Sequence, residues 1–146
     1  MSPTFRVALV SSGLGHVARG IEVWMHELAR HLSADCHAEL WSGRPTAPST
    51  TAALSLGNLG REHPVLRRLP WDRRYQAERL TALPKALIAL RRRRMTLAYC
   101  GDPYLAWNLK RFRRWHGAKV VFMNGMRLTP RWLRGYDGVQ IGRAHV

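Results

Sequence analysis

The sequence predicts an α/β domain in which a parallel β-sheet carries helices on both faces. Two observations support this prediction. Short, continuous apolar runs recur along the chain, as expected for strands that are buried on both sides. Amphipathic segments separate these runs, so strand and helix alternate as they do in parallel sheets. In such sheets ligands bind beyond the carboxyl ends of the strands, where the loops meet.

Length, charge and cysteine content narrow the class of protein. The 146 residues suffice for one domain. The 24 Lys and Arg against nine Asp and Glu give a formal charge of +15, which attracts nucleic acid, anionic lipid or phosphorylated substrates. Cys36 and Cys100 are far apart with no Cys/His pattern nearby, which predicts reduced thiols and no metal site. Since no signal peptide or membrane span is evident, we expect a cytoplasmic protein.

The amino-terminal half opens with strand, helix and strand. Residues 5–10 are apolar and rich in β-branched side chains, which predicts the first strand. Apolar side chains recur every three or four positions from Ile21 to Leu32 and predict a helix with one buried stripe. Residues 37–41 predict a second strand. Residues 44–73 hold turn formers and scattered arginines without a clear period, so we expect a mobile insertion lying on the surface.

The next helix is predicted over residues 74–94. Leucines recur there at three- and four-residue spacing, and Pro84 either begins a helix or kinks one. Arginines at 91–94 suit its carboxyl end, where cations interact favourably with the helix dipole. Residues 95–100 then predict a short strand.

The following helix has end signals on both sides. Asp102 stands at the N-cap, Pro103 at the first helical position and Gly117 just past the end. Another buried strand is predicted over residues 118–125. A helical turn starting at Pro130 and a strand starting at Gly138 complete a Rossmann-like pattern.

The loop after the first strand is the main candidate for function. Gly13 and Gly15 allow a sharp turn and a close approach of the backbone to a ligand. Free backbone N–H groups at a helix start favour a phosphate. Gly13-x-Gly15-x-x-Ala18 formally matches the dinucleotide fingerprint, but the helical stripe starts only at Ile21, later than that motif requires. An NAD(P)-binding domain therefore remains an alternative.

Two polar residues near this loop have more than one interpretation. His16 could act as a base, donate to a phosphate or point to solvent. Glu39, in the second predicted strand, is an ambiguous partner for a dinucleotide ribose. The residues alone do not choose among these roles.

Two ordered blocks resemble the amino-terminal domain of GT-B glycosyltransferases, particularly those of family four. Residues 5–32 contain a strand, a glycine-rich loop, a Gly-x-Glu step at 20–22 and a helix that ends in a phrase similar to "LARxL". Residues 97–125 contain a strand, Asp-Pro, a helix, a "Gly-Ala-x-Val-Val" strand and a closing glycine.

This resemblance implies the acceptor-side half, residues 1–140, of a two-domain hexosyltransferase. Such an enzyme transfers a sugar from a nucleotide-diphosphate donor, usually with retention in family four and with no metal expected. The loop at Gly13 and Gly15 would lie near the donor pyrophosphate. His16 is similar to the acceptor base of inverting GT-B enzymes, which leaves its role and the stereochemistry open. The donor-binding half is absent, so we expect this chain alone to be inactive.

The resemblance also implies four residues on the acceptor side. Glu22 belongs to the Gly-x-Glu step, and Asp102 to the Asp-Pro step. Asn124 and Gly125 stand where the family usually has His-Gly, so an amide would replace an imidazole beside the acceptor.

Basic and aromatic side chains concentrate at residues 91–94 and 110–115. They are suited to an anionic membrane surface, as expected for an enzyme with a lipid-linked acceptor. Nucleic acid is less favoured, because no recognised nucleic-acid module is present. A non-catalytic basic domain that binds nucleic acid or membrane, and a merely solvated basic face, remain alternatives.

The last six residues, 141–146, read "IGRAHV", which is one translated frame of a widely used sequencing adapter. We therefore expect this tail to be non-native and the natural chain to continue past Gln140.

Overall fold

The computed structural model describes residues 4–13, 20–45, 52–124 and 130–141, and for 20–22, 124, 132 and 141 it describes the backbone alone. Six strands and five helices lie within these ranges. The strands are β1 (Arg6–Ser11), β2 (His37–Ser42), β3 (Ala52–Ser55), β4 (Leu97–Cys100), β5 (Lys119–Asn124) and β6 (Gly138–Ile141). The helices are α1 (Gly20–Leu32), α2 (Trp71–Arg92), α3 (Pro103–Arg111), α4 (Arg113–His116) and α5 (Pro130–Leu133).

All six strands form one parallel sheet in the order β3-β2-β1-β4-β5-β6. This confirms the predicted α/β, Rossmann-like class. The chain builds outward from β1 to β3, then crosses over to β4 and builds toward the other edge. The strand order therefore reverses between β1 and β4, and the crevice at their carboxyl ends is the topological switch point of the sheet.

Helices cover both faces of the sheet, as predicted. Successive side chains of a strand point to opposite faces. Val7 and Leu9 of β1 pack against α1 residues, whereas Ala8 and Val10 belong to a second core with residues of α2 and α3. Since both faces of β1 are buried, its apolar run needs no alternation, which is why the sequence alone revealed it.

Helix α2 begins at Trp71, three residues before the predicted start, and continues through Pro84. Ala82, Ala86 and Leu90 of α2 are fully buried, and Leu83 and Leu87 pack against the same core. Of the predicted leucines, Leu80 is the exception, with 56% of its surface exposed. Small side chains allow the helix to pack close to the strands. Pro84 is tolerated because it lies on the exposed side, where water can solvate the carbonyl that loses its N–H partner.

The prediction that residues 44–73 form a surface-lying insertion is wrong for the described part. Residues 52–55 form the edge strand β3. The turns that follow contain both apolar and polar side chains that are buried, namely Leu56, Asn58, Arg61 and Leu66. This segment lacks a period because its burial depends on single polar contacts and not on a repeating apolar face.

The predicted helix after Asp102 forms in two pieces. Phe112, with φ −97° and ψ 12°, separates α3 from α4. Gly117 ends α4 in the left-handed conformation with φ 80°, as its predicted position past the helix requires. The predicted turn at Pro130 and strand at Gly138 are both present, and Ile141 is the last residue of β6.

Candidate functional site

The carboxyl ends of β1 and β4 are joined by a pair of hydrogen bonds at the switch point. The backbone N–H and the hydroxyl of Ser12 both donate to Oδ2 of Asp102, each over 2.8 Å. Ser12 is fully buried, so its N–H requires a protein partner. The Asp102 carboxylate supplies that partner and fixes the turn that follows β1 against the turn that follows β4.

Asp102 occupies the N-cap position of α3 but does not cap it with its side chain. The sequence prediction of a side-chain cap is therefore wrong, although the backbone carbonyl of Asp102 still accepts from Ala106 N–H at 2.8 Å. The physical reason is competition between donors. The buried N–H and hydroxyl of Ser12 engage the carboxylate, whereas the first N–H groups of α3 include none from Pro103, which has no N–H.

Asn58 holds Ser12 from the side of β3. Its Nδ2 donates to the carbonyl of Ser12 over 3.3 Å and to that of Leu59 over 3.4 Å. The Asn58 side chain is buried, so the loop after β3 reaches across the end of β2 to the switch point. Sequence analysis missed this residue, because an asparagine in a turn-rich segment carries no signal of a long-range contact.

The residues predicted from the glycine-rich loop are only partly described. Gly13 is buried in the turn directly after Ser12, at the switch point. Gly15 and His16 lie outside the described residues. The structure therefore locates the start of the predicted phosphate loop, and the roles of Gly15 and His16 remain predictions.

For the other predicted acceptor-side residues, the structure describes the backbone of Glu22 and Asn124 but not their side chains. Glu22 lies in the first turn of α1, which follows the glycine-rich loop. Asn124 is the last residue of β5, at the carboxyl edge next to β4. Gly125 lies outside the described residues. Asp102 is thus the predicted site residue whose side-chain contacts the structure defines.

A group of buried charged residues and partly exposed tyrosines, which we call the α2 cluster, lies near this site and was not predicted. It comprises Arg61, Tyr75, Glu78, Arg79 and Tyr104. Arg61 donates to Glu78 through Nε over 3.1 Å, Nη2 over 2.9 Å and its backbone N–H over 2.9 Å. Burial alone would lower the pKa of Arg61, but the hydrogen bonds and charge of Glu78 outweigh burial and raise it.

Tyr75 and Tyr104 hold the two arginines of the α2 cluster by their rings. The guanidinium carbon of Arg61 lies 3.8 Å from the ring centre of Tyr75. That of Arg79 lies 4.3 Å from Tyr75 and 5.2 Å from Tyr104. Tyr104 is in the first turn of α3, two residues after Asp102, so the cluster extends to the switch point.

Cys100 ends β4 at this edge but is not suited to nucleophilic chemistry. Burial raises the pKa of its thiol well above the usual value, and the negative charge of Asp102 adds to this effect. The thiol therefore stays protonated, and it acts as a small apolar side chain in the core.

Glu39 is committed to a structural role. Its buried carboxylate accepts from His37 Nε2 at 2.9 Å, Trp41 Nε1 at 2.9 Å and Arg93 Nη1 at 2.7 Å. Burial alone would raise the pKa of Glu39, but these hydrogen bonds and the Arg93 charge lower it. Because it lies inside β2 and not at its carboxyl end, Glu39 is not placed to bind a dinucleotide ribose.

The predicted basic and aromatic surface divides into two parts. Arg91, Arg92 and Arg94 line an open groove of about 560 Å³ together with Ile88 and Trp115, and we call it the basic groove. Arg91 lies 4.8 Å from the ring centre of Trp115. The groove residues precede β4 and β5, so they lie at the amino ends of these strands, opposite the switch point.

Lys110 and Arg113 belong to the other part of that surface and are engaged elsewhere. Lys110 Nζ donates to the carbonyl of Arg134 over 2.7 Å, and Arg113 pairs with Asp137 over 3.2 Å. These contacts tie α3 and α4 to the chain before β6.

Among the described residues there is neither a cluster of metal ligands nor a helix suited to span a membrane. In ranges 4–13, 20–45, 52–124 and 130–141, no three His, Cys, Asp or Glu side chains come together as metal ligands. None of the helices in these ranges is both long and apolar enough to cross a membrane.

Comparison with known proteins indicates the fold. No protein-family model matches the chain, and no curated protein matches its sequence. Among solved structures, sucrose-phosphate synthase from Thermosynechococcus elongatus is similar, with a TM-score of 0.57 and 15% sequence identity. The match covers 84% of this chain and 33% of that enzyme's chain. The chain thus spans about a third of the length of this enzyme and shares its fold over that part.

Proposed function

We propose that the chain is the acceptor-side half of a GT-B glycosyltransferase that transfers a hexose from a nucleotide-diphosphate donor, with retention. The observation that carries this proposal is the Ser12–Asp102 pair, which shapes the turn at Gly13 at the switch point of the sheet. The fold shared with sucrose-phosphate synthase supports it.

In this proposal the chain's own residues mainly bind and orient. The turn at Gly13 starts the loop whose backbone N–H groups, with those of Gly15, are proposed to face the donor pyrophosphate near the amino end of α1. Asp102 keeps that turn in place through Ser12. His16, Glu22, Asn124 and Gly125 are the residues proposed to contact the acceptor. Water exclusion and donor selectivity depend on closure against the second domain.

The NAD(P)-binding alternative lacks a ribose partner in the described structure. The acidic residue of β2, Glu39, is buried and already engaged by donors on three side chains. Ser42, at the carboxyl end of β2, donates its hydroxyl proton to the carbonyl of Arg44 over 2.5 Å. The structural position that binds the ribose in dinucleotide enzymes is therefore without a carboxylate.

The test is an assay of the natural reading frame that contains these residues. Long-read sequencing across codon 140 gives the frame, and the expressed protein is assayed for nucleoside diphosphate released from UDP-, ADP- and GDP-sugars. NADH and NADPH are titrated in parallel. Release that Asp102→Ala reduces and Asp35→Ala leaves unchanged supports the proposal. Binding of a nicotinamide cofactor without any turnover of a nucleotide sugar contradicts it.

A peripheral contact with anionic membrane is a second proposal, and the basic groove supports it. Ile88 and Trp115 in the groove are 45% and 47% exposed, and Phe112, which precedes Trp115 in the chain, is 43% exposed. Asp102 is the sole acidic residue in the sequence between Arg79 and Tyr136. Exposed apolar side chains among arginines are typical of surfaces that insert into anionic headgroups.

A further inference from the structure

The α2 cluster contains one positive charge without a matching negative charge. Arg79 is 7% exposed, and its Nε is buried without a hydrogen-bond partner. Among the carboxylates whose side chains the structure describes, none forms an ion pair with Arg79. The contacts that hold its guanidinium are the rings of Tyr75 and Tyr104.

Arg61, which contacts the same Tyr75 ring as Arg79, has a carboxylate that neutralises its charge. Glu78 receives two side-chain hydrogen bonds and one backbone hydrogen bond from Arg61. Glu78 is 1% exposed and is fully committed to this pair. It therefore neutralises one of the two buried arginines, and the charge of Arg79 remains.

The sequence offers few other carboxylates for Arg79. Of the nine acidic residues, Glu22 is the one whose side chain is not described. Glu22 belongs to α1, which packs on the face of the sheet opposite to α2. The charges of Asp102 and Arg79 both act on the Cys100 thiol, so Asp102 lies in the same part of the fold. Its Oδ2, however, is engaged by Ser12.

An unpaired buried charge is costly, because losing its hydration requires several kcal/mol that a nearby opposite charge normally offsets. A second unsatisfied donor accompanies Arg79 on the same side of the sheet: Nη1 of Arg61 is also buried without a hydrogen-bond partner. Asn58 contacts Ser12, and Tyr104 follows Asp102, so this unsatisfied group borders the Ser12–Asp102 pair on the α2 side.

We infer that Arg79 binds an oxyanion of the acceptor, a phosphate or a carboxylate group, next to the Ser12–Asp102 pair. That the bound anion belongs to an acceptor rests on the proposed glycosyltransferase function. The anion site itself does not require that function. Guanidinium groups bind oxyanions through paired N–H donors, and the rings of Tyr75 and Tyr104 keep the plane of the Arg79 group in place. The acceptor is thus an acidic molecule, such as a sugar phosphate or a sugar acid.

The test is a titration of the 146-residue chain with inorganic phosphate and, separately, with acetate, each against chloride at equal ionic strength. The thermal midpoint and the tryptophan fluorescence are followed. Arg79→Met removes the charge but keeps a long side chain, and Arg79→Lys keeps the charge. Arg73→Gln is the matched control, since it removes an exposed arginine from the same helix.

Phosphate or acetate should stabilise the wild-type chain and the Arg73→Gln variant equally. In Arg79→Met the anion should bind about 10- to 100-fold more weakly, as expected when one or two charge-assisted hydrogen bonds are lost. Without anion, Arg79→Met should be at least as stable as wild type. A response to phosphate alone identifies a phosphorylated acceptor, and a response to acetate alone identifies a carboxylate.

Three results would overturn this inference: no response to either anion, an unchanged response in Arg79→Met, or a large loss of stability in that variant without anion. A fourth such result is that Arg79→Met loses the binding of UDP as well as that of phosphate, which would assign Arg79 to the donor site. If Arg79 binds the anion but the natural protein transfers no sugar, the proposed function fails and the anion site stands.

Discussion

Removing the Asp102 carboxylate should destabilise the domain at the switch point. In Asp102→Ala the buried N–H and hydroxyl of Ser12 both lose their acceptor. The effect does not include loss of a helix cap, because the Asp102 side chain makes no capping hydrogen bond to α3. The change in the free energy of unfolding therefore reports the link between β1 and β4.

The magnitude follows from the two hydrogen bonds of 2.8 Å. A hydrogen bond to a charged group contributes about 1.5–3 kcal/mol, and the partial exposure of Asp102 favours the lower end. Asp102→Ala should therefore cost about 3 kcal/mol. Ser12→Ala removes only the hydroxyl and should cost about 1–2 kcal/mol. Because both variants remove the hydroxyl bond, the double variant should lose less than the sum of the two.

Urea unfolding at pH 7, followed by circular dichroism, measures these differences. Asp35→Ala, which removes an exposed acidic residue after α1, is the control and should change stability by less than about 0.5 kcal/mol. If Asp102→Ala lowers the free energy of unfolding by less than about 1 kcal/mol, or if the effects in the double variant are strictly additive, Ser12 and Asp102 do not form the two hydrogen bonds.

Three further predictions concern other parts of the molecule. Glu39→Gln should lower the free energy of unfolding by about 3 kcal/mol, because it leaves buried donors facing a neutral amide. Glu27→Gln, at an exposed position, should change the free energy of unfolding little. Equal losses in the two variants would contradict the prediction. Burial lowers the pKa of His116 in the folded chain, so His116 binds a proton more readily in the unfolded chain. Stability should therefore be full above the usual pKa of 6.5 and fall below it, and unfolding at pH 7.5 and 5.5 should show this dependence in wild type but not in His116→Gln. Arg92→Glu should weaken sedimentation with phosphatidylserine vesicles about tenfold, whereas Arg73→Glu should not; equal weakening would mark simple charge attraction.

The fold class was predictable because the strands are buried on both faces. Their apolar runs need no alternation and stand out in the sequence, as residues 5–10 and 118–125 illustrate. End signals such as Pro103 and Gly117 act locally, through a fixed φ and a left-handed turn, so they too were readable. The buried face of α2 was predictable in part, since Leu83, Leu87 and Leu90 contact the core as their spacing indicates. The exposure of Leu80 and the burial of Ala82 were not, because small alanines carry little periodic signal.

That Gly13 and Asp102 lie at one edge of the sheet was predictable, but the contacts of Asp102 were not. Gly13 and Asp102 each follow a predicted strand, and parallel strands bring their carboxyl ends to one edge. That Asp102 accepts from Ser12, 90 residues away, depends on which strands become neighbours. The same holds for Asn58 and for the pairing of Arg61 with Glu78, which lie in a segment without a period.

The sequence by itself determined the alternation of strands and helices, the glycine turn after the first strand and the excess of positive charge, because these depend on local propensity and composition. Only the tertiary structure decided which charges are compensated. Glu78 neutralises Arg61, three donor side chains surround Glu39, and Arg79 is left between two rings. Burial sets the energetic importance of each charge, and burial is known only when distant segments have packed together.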